Sequence, residues 1–385
     1  MPTYPTYKLS EIARSTKGKK PKSVSKEKTD GFEIPYVDIK AFEKGIVDNY
    51  TDGENCTFCK PDDVLIVWDG ARCGFVGRGV EGAIGSTLAK ISSDKYTNDF
   101  LFYFLQSKYK VLNSNPRGVG IPHIEPNLLW NFEIPDVDKT TQRAIVTRIE
   151  TLFAELDKAA EHLRTAQQQL KTYRQAVLRD AFEGCKEMKT VLELSTIVTS
   201  GSRGWAKYYT DKKDARFVRI TDLTRDRIIL QSNNIQYISL PPNAEGKRSL
   251  LQPNDVLVSI TADLGSIALV PQNIGEAYIN QHIAMIRFKN TKLGKFMAYY
   301  LKSDFGQKEL LKNKRGNGKL GLGLDDIRNT YIPFVDEEEA NEIVNKIESR
   351  LSQAEAAEAS IAEALHKTEA LRQSILKKAF SGELV

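Results

Sequence analysis

The chain repeats itself. Arg174-Gln175-Ala176-Val177-Leu178 returns as Arg372-Gln373-Ser374-Ile375-Leu376, and Ala181-Phe182-Glu183-Gly184 returns as Ala379-Phe380-Ser381-Gly382. Ile134-Pro135 returns as Ile332-Pro333, and Ile145-Val146 as Ile343-Val344. All four pairs keep one offset, about 198 positions, without a gap. Upstream the match continues with small shifts. Pro61-Asp62-Asp63-Val64-Leu65 answers Pro253-Asn254-Asp255-Val256-Leu257, and Ile84 in AIGSTLAKI answers Ile279 in YINQHIAMI. A period this long is no solenoid unit. It predicts two copies of one domain, each followed by one helix, in a chain of 385 residues.

Each copy ends in a helical stretch without internal proline or glycine, Lys139–Glu183 and Asp336–Ser381. A proline precedes each (Pro135, Pro333) and a glycine closes each (Gly184, Gly382), the expected punctuation. The first carries Ile145, Ile149, Leu152, Leu156, Ala159, Leu163, Ala166, Leu170, Tyr173 and Val177 at alternating spacings of four and three. That is a coiled-coil period and calls for an equally long partner. The second stripe is looser: Ile343, Ile347, Leu351, Ala354, Ala357, Ile361, Ala364, Leu371 and Ile375. Only Cys185–Lys189 separates the first helix from the next domain, so that domain should sit at the helix's far end. The two helices are then antiparallel, with a spacer of ~60 Å at 1.5 Å per residue.

The expected fold class is α+β. Two α/β domains (residues 1–134 and 185–331) alternate with two long antiparallel helices (135–184 and 332–385) in pseudo-twofold symmetry. Val64–Trp68, Val256–Ile260 and Ile283–Phe288 read as buried strands; Phe100–Tyr109 and Gly294–Ser303 read as short helices.

Charge is uneven. Against 55 Lys+Arg and 50 Asp+Glu overall, residues 185–331 are basic and residues 332–385 acidic. Basic, glycine-containing loops recur in both domains: RSTKGKKPK (14–22), NPRGVGIPH (115–123), GSRGWAKYY (201–209) and NKRGNGKLGLG (313–323). Glycine admits close backbone approach, while Lys and Arg neutralise phosphates and can read base edges. The candidate nucleic-acid contacts are Lys17, Lys19, Lys20, Arg72, Arg78 and Arg117 in the first domain. In the second they are Arg203, Trp205, Lys207, Tyr209, Arg216, Lys314, Arg315 and Lys319, the aromatic rings being offered to sugars or splayed bases.

Catalytic signatures are missing. Gly316–Gly321 fits GxGxxG, but no strand run leads into it, as a dinucleotide-binding turn requires. There is no phosphate-binding GxxxxGK[ST] string and no Asn-Pro-Pro-Tyr; Leu240-Pro241-Pro242-Asn243 has the wrong order. Glu187-Met188-Lys189 and Glu245-Gly246-Lys247 lack the preceding acid of a nuclease. The four histidines have no metal spacing, and Cys56-Thr57-Phe58-Cys59 stands alone, so no metal site is expected and the thiols read as free. No run approaches a membrane span, and the lysine-rich first 30 residues contain no apolar stretch. A reduced, cytoplasmic protein is expected.

The order of these strings resembles a known family over nearly the whole chain. Pro61–Leu65 and Pro253–Leu257 look like its "GD-(I/V)-L" strand, and Asn280-Gln281-His282 matches its "NQH" string. Ile134-Pro135 and Ile332-Pro333 resemble its "I-P-x-P" string, followed by Gln142 and Ile145-Val146. The chain departs from the pattern at Asp136 and Phe334, where a second proline is usual, and at Ala340, where Gln142 has no counterpart. It resembles the DNA-specificity (S) subunit of type I restriction–modification systems. The resemblance implies two target-recognition domains, each reading one half of a bipartite duplex site, and two spacer helices docking two methyltransferase subunits. It implies a non-catalytic chain without a cofactor of its own. S-adenosylmethionine, ATP and magnesium would sit on the methyltransferase and motor–nuclease partners. Three other readings fit the same residues: a self-contained methyltransferase or nuclease with an unrecognised site, a coiled-coil adaptor with basic nucleic-acid-binding loops, and a specificity subunit of another multi-subunit restriction class.

Overall fold

A computed structural model describes residues 4–118, 120–231, 233–241, 247–312, 314 and 321–384. The chain divides into two compact units, Met1–Arg164 with Ala362–Val385, and Thr165–Ile361.

In the first unit, four antiparallel strands form a sheet in the order Arg14–Lys17, Leu88–Ser92, Val64–Val67, Val76–Gly77. A second sheet runs Val24–Ser25, Tyr50–Thr51, Ile34–Val37, Gly82–Ile84, Thr57–Cys59, with Ile34–Val37 and Gly82–Ile84 parallel. Val64–Val67 is apolar throughout because both its faces are covered. Val64 and Ile66 point into one core with Phe100, Phe104 and Ile149, while Leu65 and Val67 point into another with Val37, Phe42 and Ile84. The helix Asn98–Ser114 starts at Thr97, whose hydroxyl accepts the Phe100 N–H, and presents Phe100, Leu101, Phe104 and Leu105 to the first core.

The second unit repeats this plan. Its four-stranded sheet runs Ser195–Ser200, Ile283–Phe288, Val256–Ser259, Ile267–Leu269. Its other sheet runs Tyr209–Thr210, Gln236–Ile238, Ala215–Val218, Ala277–Ile279, again with the last pair parallel. Val256 and Val258 face one core, and Leu257 faces another. The one-residue alternation therefore assigns side chains to layers identically in both copies.

The long helices span Lys139–Phe182 and Glu337–Ser381. Equivalent aspartates start them: Asp138 Oδ1 accepts the Thr141 N–H and Asp336 Oδ1 the Glu339 N–H, each at 2.8 Å. The backbone N–H groups of Thr141 and Thr140 and the Thr141 hydroxyl hold the Asp138 carboxyl below its ordinary range. Gln142 is buried, accepting from the Thr97 N–H at 2.9 Å and donating to the Val137 carbonyl at 2.9 Å. At the corresponding place Ala340 simply fills space.

Within each unit the two helices run in opposite directions. In the first unit, Ile145, Val146 and Ile149 share a core with Leu376 and Ala379, and Phe380 sets its edge on Phe100 and Phe104 at 5.2 and 5.4 Å. In the second, Val177, Leu178 and Phe182 share a core with Ala340, Val344 and Ile347, and Phe182 packs on Phe296 and Tyr300 at 5.3 and 5.4 Å. Phe182 and Phe380 are repeat equivalents, so the same residue makes the same aromatic anchor twice.

Three expected seam positions are corrected. Tyr173 is 40% exposed and Leu371 is 50% exposed. The next residue faces inward in each case, Arg174 in the first helix and Arg372 in the second. Ala159 is likewise exposed and Ala160 buried. The rows through Ile149, Leu156, Leu163, Leu170 and Val177, and through Ile347, Leu351, Ala354 and Ile361, are buried or half-buried. No helix among the described residues is long and apolar enough to cross a membrane.

Candidate nucleic-acid interface

Three loops meet at one edge of the first unit. The loop after Arg14–Lys17 turns at Gly18, whose N–H donates to Leu88 O at 2.9 Å. A Cβ there would lie 2.2 Å from Gly85 O and 2.4 Å from Ile84 O, so only glycine lets the loop pass. Lys17 Nζ then reaches Asp69 Oδ2 at 2.9 Å, at the end of the strand Val64–Val67. From the third loop, His123 Nδ1 lies 2.6 Å from Asp69 Oδ1. Arg117 and His123 exchange backbone hydrogen bonds of 2.8 and 2.9 Å, and Gly70 N–H donates to Pro122 O at 2.7 Å. The loops 14–22 and 115–123 are thus joined through Asp69. Around this junction Lys19, Lys20 and Arg117 are exposed.

The second unit builds the same junction with different side chains. Gly201 stands where Gly18 does, its Cβ position 1.9 Å from Ile279 O. Ser200 replaces Lys17, Thr261 replaces Asp69, and Gly321 replaces His123 as the bridge partner. A histidine is again present but comes from another turn: His282 Nδ1 is 2.6 Å from Thr261 Oγ1, and its Nε2 is 2.9 Å from Gln281 Nε2. Ser202, Arg203, Lys207, Tyr208, Arg248, Thr261, Gln281 and Leu322 line a polar cleft of about 870 Å³. Loop 201–209 and the end of loop 313–323 therefore share one concavity.

The expected contact residues divide. Lys17, Lys19, Lys20 and Arg117 gather in the first unit; Arg203 and Lys207 line the cleft in the second. Tyr209 and Lys314 are exposed. Arg315 and Lys319 lie outside the described residues.

Trp205 does not offer its ring to a ligand. It is 5% exposed and packs on Phe217, Tyr278 and Tyr208. The aromatic content of GSRGWAKYY builds a small core beneath the loop. Arg78 is committed internally, paired with Asp99 and Glu150 and set 4.9 Å from the Phe102 ring. Arg72 pairs with Glu43 at 2.7 Å and lies 4.1 Å from the Phe75 ring. Arg216 is half-buried, donates to Gln231 O at 2.5 Å, and lines a different cavity with Lys213, Ile228 and Glu276. Trp205 is therefore a core residue, and Arg72, Arg78 and Arg216 each make an internal pairing. Arg248, Gln281, Asp69 and His123 were not among the expected contacts. His123 closes the loop 115–123 itself, while Asp69 meets it across 54 positions of sequence.

A family model for the type I restriction modification DNA specificity domain matches the chain twice, at residues 1–163 and 186–366. The type I restriction enzyme EcoBI specificity subunit of Escherichia coli is 26% identical over 384 residues, covering 91% of this chain and 80% of that protein. The MjaVIII specificity subunit of Methanocaldococcus jannaschii is 24% identical, covering 89% and 84%. A chain from a structural study of type I R-M complex assembly and conformational transition superposes with a TM-score of 0.73 at 21% identity, covering 100% and 99%. The HsdS subunit from Thermoanaerobacter tengcongensis superposes with a TM-score of 0.57 at 20% identity, covering 100% and 98%. With both copies of the repeat matched, the chain belongs to the type I restriction modification DNA specificity domain family.

Proposed function

We propose that this chain is the sequence-reading subunit of a type I restriction–modification complex, each unit binding one half of a split duplex target. One observation carries the reading: a corresponding loop junction occurs in both units, built on equivalent glycines but with different chemistry, Lys17, Asp69 and His123 in one and Ser200, Thr261 and Gly321, with His282 brought in from another turn, in the other. A shared scaffold with divergent polar centres suits two readers of unlike half-sites. The exposed lysines and arginines at the rims supply phosphate contacts that position the readers, while side chains deeper in each junction meet base edges. The chain catalyses nothing itself. Methyltransferase subunits, two per chain, bring S-adenosylmethionine, and motor–nuclease subunits bring ATP and magnesium; the long helices are their docking elements. The complex acts on cytoplasmic DNA.

The test is competition binding by the complex assembled with its methyltransferase subunits. A duplex carrying both half-sites should outcompete one with either half scrambled, and affinity should fall steeply with salt. Equal binding to all duplexes, or preference for RNA, would contradict the proposal and favour an adaptor.

A further inference from the structure

We propose that His123 is a base-reading residue of the first unit, presenting Nε2 to one base pair of its half-site; this rests on the DNA-reading function above.

The ring is fixed from several sides. Its backbone exchanges both hydrogen bonds with Arg117. Gly118 stands against it, with a Cβ position 3.2 Å from the ring's Cδ2. Asp69 lies 2.6 Å from Nδ1 and is itself held by Lys17 at 2.9 Å. A carboxylate accepts and does not donate, so Nδ1 carries the proton and Nε2 is the nitrogen left over. The side chain is 45% exposed at the junction of the three loops.

Base reading needs a group already held in position; a phosphate contact does not. Lys19 and Lys20 are long, exposed side chains that lose rotamer freedom when they bind, which suits phosphate neutralisation. His123 has little freedom left to lose. Nε2 is a single hydrogen-bonding group, so its discrimination is confined to one base pair. Gly321 stands at this place in the second unit, and His282, which reaches that junction from another turn, has partners at both ring nitrogens, Thr261 and Gln281, and leaves no nitrogen for a base. The assignment therefore applies to the first half-site alone.

The experiment maps adenine methylation by the assembled complex carrying the wild-type chain, His123→Ala or Lys20→Ala. His123→Ala should lose about tenfold or more of its discrimination at one position of the first half-site. The second half-site should be unchanged. Lys20→Ala should slow methylation at all sites without altering the motif. A His123→Ala complex with the wild-type motif, whether at full or uniformly reduced rate, overturns the assignment. Should His123→Ala fail to assemble, a folded His123→Asn complex is tested by competition against duplexes with single base-pair changes, and wild-type discrimination at every position overturns the assignment equally. A wild-type complex with no split motif would instead contradict the proposed function, and the assignment would fall with it.

Discussion

Arg174 donates through Nε and Nη2 to the two carboxylate oxygens of Glu358, each at 3.0 Å, so the two long helices are joined in the second unit by a bidentate ion pair. Arg372, its repeat equivalent, pairs with Asp157 in the first unit and lies 4.8 Å from the Phe153 ring. Each arginine takes the inward position beside an aromatic or aliphatic residue that the heptad pattern had favoured. Arg174 is 9% exposed as a residue, whereas the Asp157 side chain is 69% exposed. The two pairs should therefore differ in strength. Glu358→Ala removes the bidentate partner of the buried Arg174, leaving it Glu355 at 3.9 Å, and should cost about 1–3 kcal/mol. Asp157→Ala should cost about 1 kcal/mol or less, as exposed pairs do. Urea denaturation of the two variants measures the contrast; equal losses would contradict it.

The seam makes a second contrast. Ile347 is fully buried between helix and domain, and Leu371 is half exposed. Ile347→Ala should cost about 2–5 kcal/mol through lost burial and a residual cavity. Leu371→Ala should stay within about 0.5 kcal/mol. Thermal melting decides the matter, and a large loss at Leu371 would restore the simple heptad reading.

Lys302 gives a pH dependence. It is 7% exposed, its Nζ donates to Thr224 O at 3.2 Å, and burial pushes its amine from 10.5 down to about 8. Asp226 and Asp263 oppose that shift and Arg225 adds to it. Between about 8 and 10.5 the unfolded chain holds the proton that the folded chain has released. Stability attributable to this group thus rises with pH through that window. Lys302→Met should flatten the rise, read as the wild-type minus variant unfolding free energy at pH 7.5 and 10. A difference that does not change with pH would contradict the buried, neutralised amine.

Gly18 and Gly201 are close-approach glycines. Gly18→Ala and Gly201→Ala each drive a Cβ into a carbonyl oxygen and should cost about 1–3 kcal/mol in the unit concerned. Each should also weaken recognition of only its own half-site, measured by competition with duplexes altered in one half. Loss confined to the wrong half, or none, would contradict the equivalence of the two junctions.

The duplication, the long helices and the buried strands were legible in the sequence because they rest on local pattern. Val64–Val67 is apolar at every position, and Lys139–Phe182 lacks helix breakers. The four basic loops were legible as composition. Their pairing within each unit was not, because Lys17, Asp69 and His123 meet only through strand register. Trp205 reads as an exposed aromatic from its glycine-rich neighbours, yet the strands at Phe217 and Tyr278 close over it. Arg78 looks like any basic residue until Asp99 and Glu150 are brought to it. Seam positions shifted at Tyr173 and Leu371 because a hydrophobic pattern gives no weight to an arginine that buries its stem and pairs its charge.

The central claim is that this chain dictates which DNA sequence its complex acts on. The most direct test is genome-wide adenine methylation with the cognate methyltransferase subunits expressed alone or together with this chain. The account predicts a split motif, with two unlike halves around an unread spacer, only when the chain is present. The same methylation with and without it would contradict the account.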